Sequence, residues 1–261
     1  MGWEEAGVAW SDRAVDWAYL MEPLFAPVYE TLARSLDLAP TDSLLDIGCG
    51  GGRALQAYAP HCSQVAGIDA AAGLLSIASL RVPQADLKHG SLTELPWADG
   101  AFDAVTGVNS FVYADDGGLA EAYRVLKPGG RLAIGFWSDP MDFGWCMNAL
   151  GEALGPYVGP ENTHTPLAMS QPGSARVLLA AAGFDVVDSG TVACVSEFAD
   201  AETAYRGLAS TGMIYPLVQD DAETALRTES LAYLESCFTA EAGIRMNASI
   251  GWVLAQRRPT E

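Results

Sequence analysis

The sequence predicts an α/β fold. It is a doubly wound sheet of seven strands, mostly parallel, with an antiparallel last strand and helical cap insertions. Three observations carry that expectation. Short apolar runs alternate with segments of helical period, the pattern of a parallel sheet joined by right-handed crossovers. One such run leads straight into a glycine turn and a helix, at Leu44-Leu45-Asp46-Ile47-Gly48-Cys49-Gly50-Gly51-Gly52-Arg53-Ala54-Leu55. An acidic residue, Asp69, closes the next apolar run, Val65-Ala66-Gly67-Ile68.

The elements follow in order. Residues 1–39 read as helical and aromatic, with Trp10, Trp17, Tyr19, Phe25 and Tyr29, broken into short pieces by Pro23 and Pro27. The first strand ends at Asp46 and the second covers 64–69, with a helix from Arg53 to Ala59 between them that turns Leu55 to the sheet. A helix from Ala72 to Leu80 leads to a short third strand, Asp86–His89. Phe102 to Val108 is apolar enough for a central fourth strand. Asp115 and Asp116 precede a helix with Leu119, Tyr123 and Leu126 on one face. Lys127-Pro128-Gly129-Gly130 ends it, and Arg131 to Phe136 is the fifth strand. Residues 138–172, rich in proline, glycine and aromatics, interrupt the alternation. It resumes with a helix over 174–182 and a strand near 184–196, then breaks again for a helical insertion over about 200–240. Ile250-Gly251-Trp252-Val253-Leu254 closes the chain as an antiparallel edge strand.

Ligands of such sheets sit at the carboxyl ends of the strands, where the glycine turn, Asp69, Ser91 and Asn109 all fall. Glycines at 48, 50 and 52 allow a tight turn with no Cβ between chain and ligand. The helix after the turn directs free N–H groups at whatever lies over it. Asp69 is placed to accept from both hydroxyls of a ribose. A dinucleotide fingerprint would require glycine where Arg53 stands. The pattern is instead Asp46-x-Gly48-x-Gly50-x-Gly52, whose acid suits a cofactor with a positive amino group and not a pyrophosphate.

With LLDIGCGGGRAL, GIDAAAGLL, LTELPWADGAFDAV and AYRVLKPGGRLAIGFW in this order, the chain resembles the class I S-adenosylmethionine (SAM)-dependent methyltransferases. The resemblance is closest to the small-molecule group typified by ubiquinone and menaquinone biosynthesis, and it covers roughly 40–137 and 174–198. It implies a Rossmann-like sheet, SAM as cofactor and methyl transfer to a small acceptor. It implies that Asp46 helps hold the methionine amino group through the turn of Gly48, Cys49 and Gly50, and that Asp69 holds the ribose. By the same resemblance Ala70 lines the adenine slot, with Ser91 and Leu92 beside it, and Asn109 lies by the methionine part. Ser91 departs from the family, which often has aspartate there to accept from the adenine amino group. Asn109 can equally well stabilise its own turn. The segment Asn109-Ser110-Phe111 lacks the N-P-P-Y-like stretch of enzymes that methylate DNA amino groups.

The domain expectation is a single class I methyltransferase domain over 1–261. Within it, 1–39 form an N-terminal helical lid, 40–137 the cofactor half, and 138–172 and 200–246 the cap insertions. Trp10, Tyr19, Phe111, Trp137 and Trp145 are candidate walls of an apolar acceptor pocket, against the plainer role of packing cap helices. His164 is the candidate general base, against the plainer reading of a solvated loop histidine. Asp115-Asp116 read as a helix cap, not a metal pair, and no metal is expected.

Formal net charge is −19, with 33 acidic and 14 basic residues, which argues against a nucleic-acid substrate. The five cysteines contain no C-x-x-C pair, so the expectation is reduced thiols and a cytoplasmic protein. Neither a signal peptide nor a membrane span is read. The partner expected is a small, hydrophobic acceptor. Alternatives are an enzyme of this fold that keeps SAM but does other chemistry such as cyclisation, a non-catalytic SAM-binding protein, and, disfavoured by Arg53, an NAD-dependent oxidoreductase.

Overall fold

The computed structural model describes residues 2–111, 115–138, 149, 169, 173–218 and 222–258. Seven strands form one sheet: β1 (Ser43–Ile47), β2 (Gln64–Asp69), β3 (Asp86–His89), β4 (Phe102–Val108), β5 (Leu126–Trp137), β6 (Phe184–Phe198) and β7 (Ile244–Arg257). Their order across the sheet is β3-β2-β1-β4-β5-β7-β6. Pairing is parallel from β3 to β5, and β7 is antiparallel to both β5 and β6. The antiparallel last strand is therefore present, but it is not an edge. β7 is inserted between β5 and β6, and β6 takes the edge. Its residues Ile244, Met246, Ala248 and Ile250 are buried in alternation, and hydrogen-bonded neighbours on both sides leave it no free edge. Position at the end of a sequence says nothing of position across a sheet.

The helices are α1 (Trp3–Ser11), α2 (Ala26–Leu36), α3 (Arg53–Tyr58), α4 (Ala72–Arg81), α5 (Asp115–Val125), α6 (Ser174–Ala181), α7 (Ala201–Ala209) and α8 (Ala222–Ser236). Among the described residues, no helix is long and apolar enough to cross a membrane. Successive strand residues serve opposite faces of the sheet. Leu44, Ala104 and Ala133 join one core with Val28, Leu32 and Leu36 of α2, Leu55 of α3 and residues of α7 and α8. Leu45, Val105 and Leu132 join the other, with Leu119 and Ala122 of α5 and Leu179 of α6. The sheet is thus covered on both faces, as its near-continuous apolar central strands require.

Between α1 and α2 the chain winds through residues 14–16, a π-helical turn at Trp17–Met21 and a 3-10 turn at Glu22–Phe25. Pro23 and Pro27 stand at the starts of the last turn and of α2, where a missing N–H costs nothing. This segment lies across the start of α4. Ala14 and Ala18 share a small buried cluster with Ala71 and Leu74, flanked by Trp10 and Trp17.

Candidate functional site

The site is assembled at the carboxyl ends of β1, β2 and β4. Gly48, Gly50 and Gly52 have φ of +72°, +53° and +80°, a left-handed backbone that side chains resist. The Gly48 and Cys49 N–H groups both donate to Ile68 O, at 2.8 and 3.0 Å, which pins the turn to the end of β2. Cys49 is buried, and burial pushes its thiol well above the ordinary range, so it is a neutral turn residue.

Three carboxylates surround the turn. Asp69 Oδ2 accepts from the Gly50 N–H at 2.8 Å and its Oδ1 from the Ala71 N–H at 2.8 Å. Each oxygen keeps a further lone pair, so the group is held rigidly and can still receive two hydroxyls. Asp46, 2% exposed, accepts from the Thr106 hydroxyl at 2.7 Å through Oδ1. Burial raises its carboxyl to about 7, the Thr106 bond opposes the rise, and the negative charges of Asp69 and Glu22 add to it. Burial raises Asp69 as well.

The third carboxylate is Glu22, which the sequence reading did not single out. It is 2% exposed. Its Oε1 accepts from the Gly51 N–H at 2.9 Å, and its Oε2 pairs with Arg81 of α4. Arg81 also donates to Gly51 O at 2.9 Å and Ala18 O at 2.7 Å. Glu22 and Arg81 therefore clasp the N-terminal segment onto the glycine turn. A signal was present: Glu22 is the lone charge in the apolar run Trp17–Phe25. Burial raises its carboxyl, against the lowering pull of Arg81.

At the end of β4, Asn109 adopts φ +55°, strained for a residue with a side chain, and its N–H donates to Gly135 O at 2.8 Å. Its Oδ1 is buried without a hydrogen-bond partner, as is the hydroxyl of neighbouring Ser110. Ser110 lies against Gly48, whose position tolerates no Cβ. Unsatisfied polar atoms beside a strained backbone mark a place built to receive a ligand. The turn so defined is stripped of side chains and carries carboxylate acceptors at Asp69, Asp46 and Glu22. These features fit an adenosine-bearing cation such as SAM.

The structure thus brings Asp46, Gly48, Cys49, Gly50, Asp69 and Asn109 together. Ala70 follows Asp69 beneath α1, where Gly7 approaches its carbonyl so closely that no Cβ fits. Ser91 and Leu92 follow β3. The Ser91 hydroxyl is 2.8 Å from that of Thr93, and Leu92 packs on the core. Phe111, 5% exposed, is buried against Gly107. Trp137 meets Phe25 edge to face at 5.7 Å inside the core. Trp10 stands edge-on to Trp17 at 4.7 Å and covers Gly212. Tyr19 is 63% exposed with the Arg81 guanidinium 5.1 Å over its ring, on the outer side of the clasp. Trp145 and His164 lie outside the described residues, as do the side chains of Asp115 and Asp116.

Part of the chain is similar to known proteins. Residues 45–134 match the methyltransferase domain family. A demethylmenaquinone methyltransferase of Renibacterium salmoninarum is 38% identical over 104 residues, which are 39% of this chain and 44% of that one. A 27-O-demethylrifamycin SV methyltransferase of Amycolatopsis mediterranei is 33% identical over 135 residues, 48% of each chain. The match therefore spans less than half the length of these curated relatives. A candidate methyltransferase of Bacillus halodurans C-125 has the same fold, with a TM-score of 0.60, 17% identity and coverage of 88% of this chain and 98% of that one. The glycine turn, Asp46, Asp69 and Asn109 all fall inside the matched segment 45–134, and the sheet has the fold of that solved structure.

Proposed function

We propose that this protein transfers the methyl group of SAM to a small, hydrophobic acceptor. The observation that carries the reading is the ring of carboxylates around the glycine turn. The N–H groups of Gly50 and Gly51 already donate to Asp69 and Glu22. A pyrophosphate would find those donors taken and negative charge in its place, whereas a cationic nucleoside finds acceptors.

When bound, SAM supplies an activated methyl group on a sulfonium. The chain's own residues have to bind, align and exclude water. In this reading Asp69 holds the ribose hydroxyls, Asp46 and the turn hold the amino end, and Asn109 and Ser110 satisfy their buried oxygen atoms on the cofactor. The N-terminal segment covers the crevice as a lid. It is continuous with the cap formed by α7 and α8. Arg13 donates to Glu223 at 2.8 Å, Asp16 pairs with Arg206, and Trp10 lies on Gly212. Trp10, Trp17 and Phe25 give that body an aromatic interior facing the sheet's carboxyl end. A large apolar acceptor suits it, and the two curated relatives are named for demethylmenaquinone and 27-O-demethylrifamycin SV. His164, within the first cap insertion, is the proposed base, and cytoplasmic location is part of the same reading.

The test is transfer of labelled methyl from SAM to a panel of lipophilic phenols, quinols and hydroxylated polyketides. Label recovered in an organic-soluble product is expected. Turnover of acceptor without label in the product would replace methyl transfer with another reaction.

A further inference from the structure

Glu22 comes from outside residues 45–134, the segment that matches the methyltransferase domain family, yet it reaches the glycine turn. A carboxylate has about four accepting positions. Glu22 spends one on the Gly51 N–H, through Oε1, and turns Oε2 to Arg81. Oε1 is also the atom that flanks Gly50: a Cβ built there would lie 3.1 Å from it. It thus borders the face of the turn that lacks side chains, with accepting capacity left. The Trp17 indole nitrogen lies 3.9 Å from the same point, so one side of this spot is aromatic. A second, independent mark is on the opposite side of the turn. Ser110, 7% exposed, has a buried hydroxyl with no partner, and this oxygen lies 3.1 Å from where a Gly48 Cβ would stand. An acceptor with spare capacity and an unsatisfied hydroxyl therefore border one side-chain-free turn.

We propose that Glu22 is a positioning residue for the amino-acid end of the cofactor, accepting from its α-ammonium group through Oε1 while Arg81 holds the carboxylate in place. This rests on the methyltransferase reading. It also gives the lid a chemical purpose. The residue that fastens the N-terminal segment to the turn is the residue that meets the ligand, so a filled site and a closed lid support one another.

The test compares two ligands that share the adenosine end and differ in the amino-acid end: S-adenosylhomocysteine and 5′-methylthioadenosine. Calorimetric titration is run on the wild type, on Glu22→Gln, and on the Glu22→Gln/Arg81→Gln pair, which avoids leaving a guanidinium without its counterion. Both variants are expected to bind S-adenosylhomocysteine at least tenfold more weakly and 5′-methylthioadenosine within twofold of wild type. Equal weakening of the two ligands would show that Glu22 acts only through the lid and would overturn the proposal, as would unchanged affinity for S-adenosylhomocysteine. Should Glu22→Gln not fold, the paired variant decides by the same criteria. Absence of S-adenosylhomocysteine binding to the wild type would sink the methyltransferase reading itself, and the proposal with it.

Discussion

Asp42 and Asp103, at the amino ends of the strands, and Asp46 and Asp69, at the carboxyl ends, are held in opposite ways. At the amino ends of the strands Asp42 and Asp103 each have a cation. Asp42 pairs with Arg131 at 2.5 Å and also accepts from the Ala39 N–H at 3.0 Å. Asp103 accepts from the Ser43 N–H and hydroxyl, each at 2.9 Å, and from Lys127 at 2.8 Å. Burial works against the charge of Asp103, but these bonds win and its carboxyl is lowered. At the carboxyl ends, Asp46 and Asp69 have only hydroxyl or N–H donors, and both are raised. The amino end is a finished structure. At the carboxyl ends neither Asp46 nor Asp69 has an ion pair with a basic side chain among the described residues, while Glu22 beside them pairs with Arg81, a pattern that suits a cationic ligand.

The sharpest way to break this contrast is Asp69→Ala. It removes the acceptor for two N–H groups and, in this account, for the ribose. Charged hydrogen bonds contribute about 1.5–3 kcal/mol each, so SAM affinity should fall on the order of a hundredfold, measured by calorimetry on protein whose circular dichroism is unchanged. Retained affinity would take Asp69 out of the site.

Arg131→Met is the counterpart at the other end. Arg131 also donates to Asp37 O at 2.8 Å, which ties the end of α2 to the sheet. The variant should lose about 2 kcal/mol of stability in denaturant melts, with SAM affinity within twofold of wild type. A large loss of affinity would mean that the two ends are not independent.

Asp46 gives the contrast a pH dependence. Burial places its folded pKa at about 7, above the ~4 of an unfolded aspartate. Stability from the protonated form is therefore full below about pH 4 and is lost as pH rises through 7. Asp46→Asn should gain on wild type by about 3 °C in melting temperature between pH 5 and 8. A bound cation favours the ionised form, so SAM affinity of the wild type should rise from pH 6 to 8 with release of a proton. Calorimetry in buffers of different ionisation enthalpy reads that proton directly. A flat profile would remove Asp46 from the account.

The smallest effect is expected for Asp103→Asn. Its pair with Lys127 is partly solvated, so the loss at pH 7 should be under about 1 kcal/mol. The lowered carboxyl contributes stability above the unfolded pKa and loses it as pH falls through the folded one. The gap between variant and wild type should therefore close as pH falls below the ordinary aspartate range.

How much of this could be read in advance follows the range of the interactions. Strands β2 and β4 stand where their apolar runs place them, because parallel strands buried on both faces announce themselves locally. The glycine turn and Asp69 are equally local: a strand end, a positive-φ turn and a helix start fall within a few residues. The spatial order of β6 and β7 was not legible, since it is fixed by pairings such as Val192↔Ile250 that cross the chain. Nor was the clasp. Glu22 and Arg81 are 59 residues apart and meet only because the N-terminal segment folds back over α4. Trp137 shows the ambiguity of an aromatic near a strand end, which pocket and core use alike, and here its ring packs on Phe25.

The central claim is tested most directly by titrating the wild-type protein with SAM and with NAD under one set of conditions. A turn already lined by its own carboxylates should bind the sulfonium nucleoside with a saturable heat and give none with the dinucleotide. Saturable binding of NAD, with SAM silent, would contradict it.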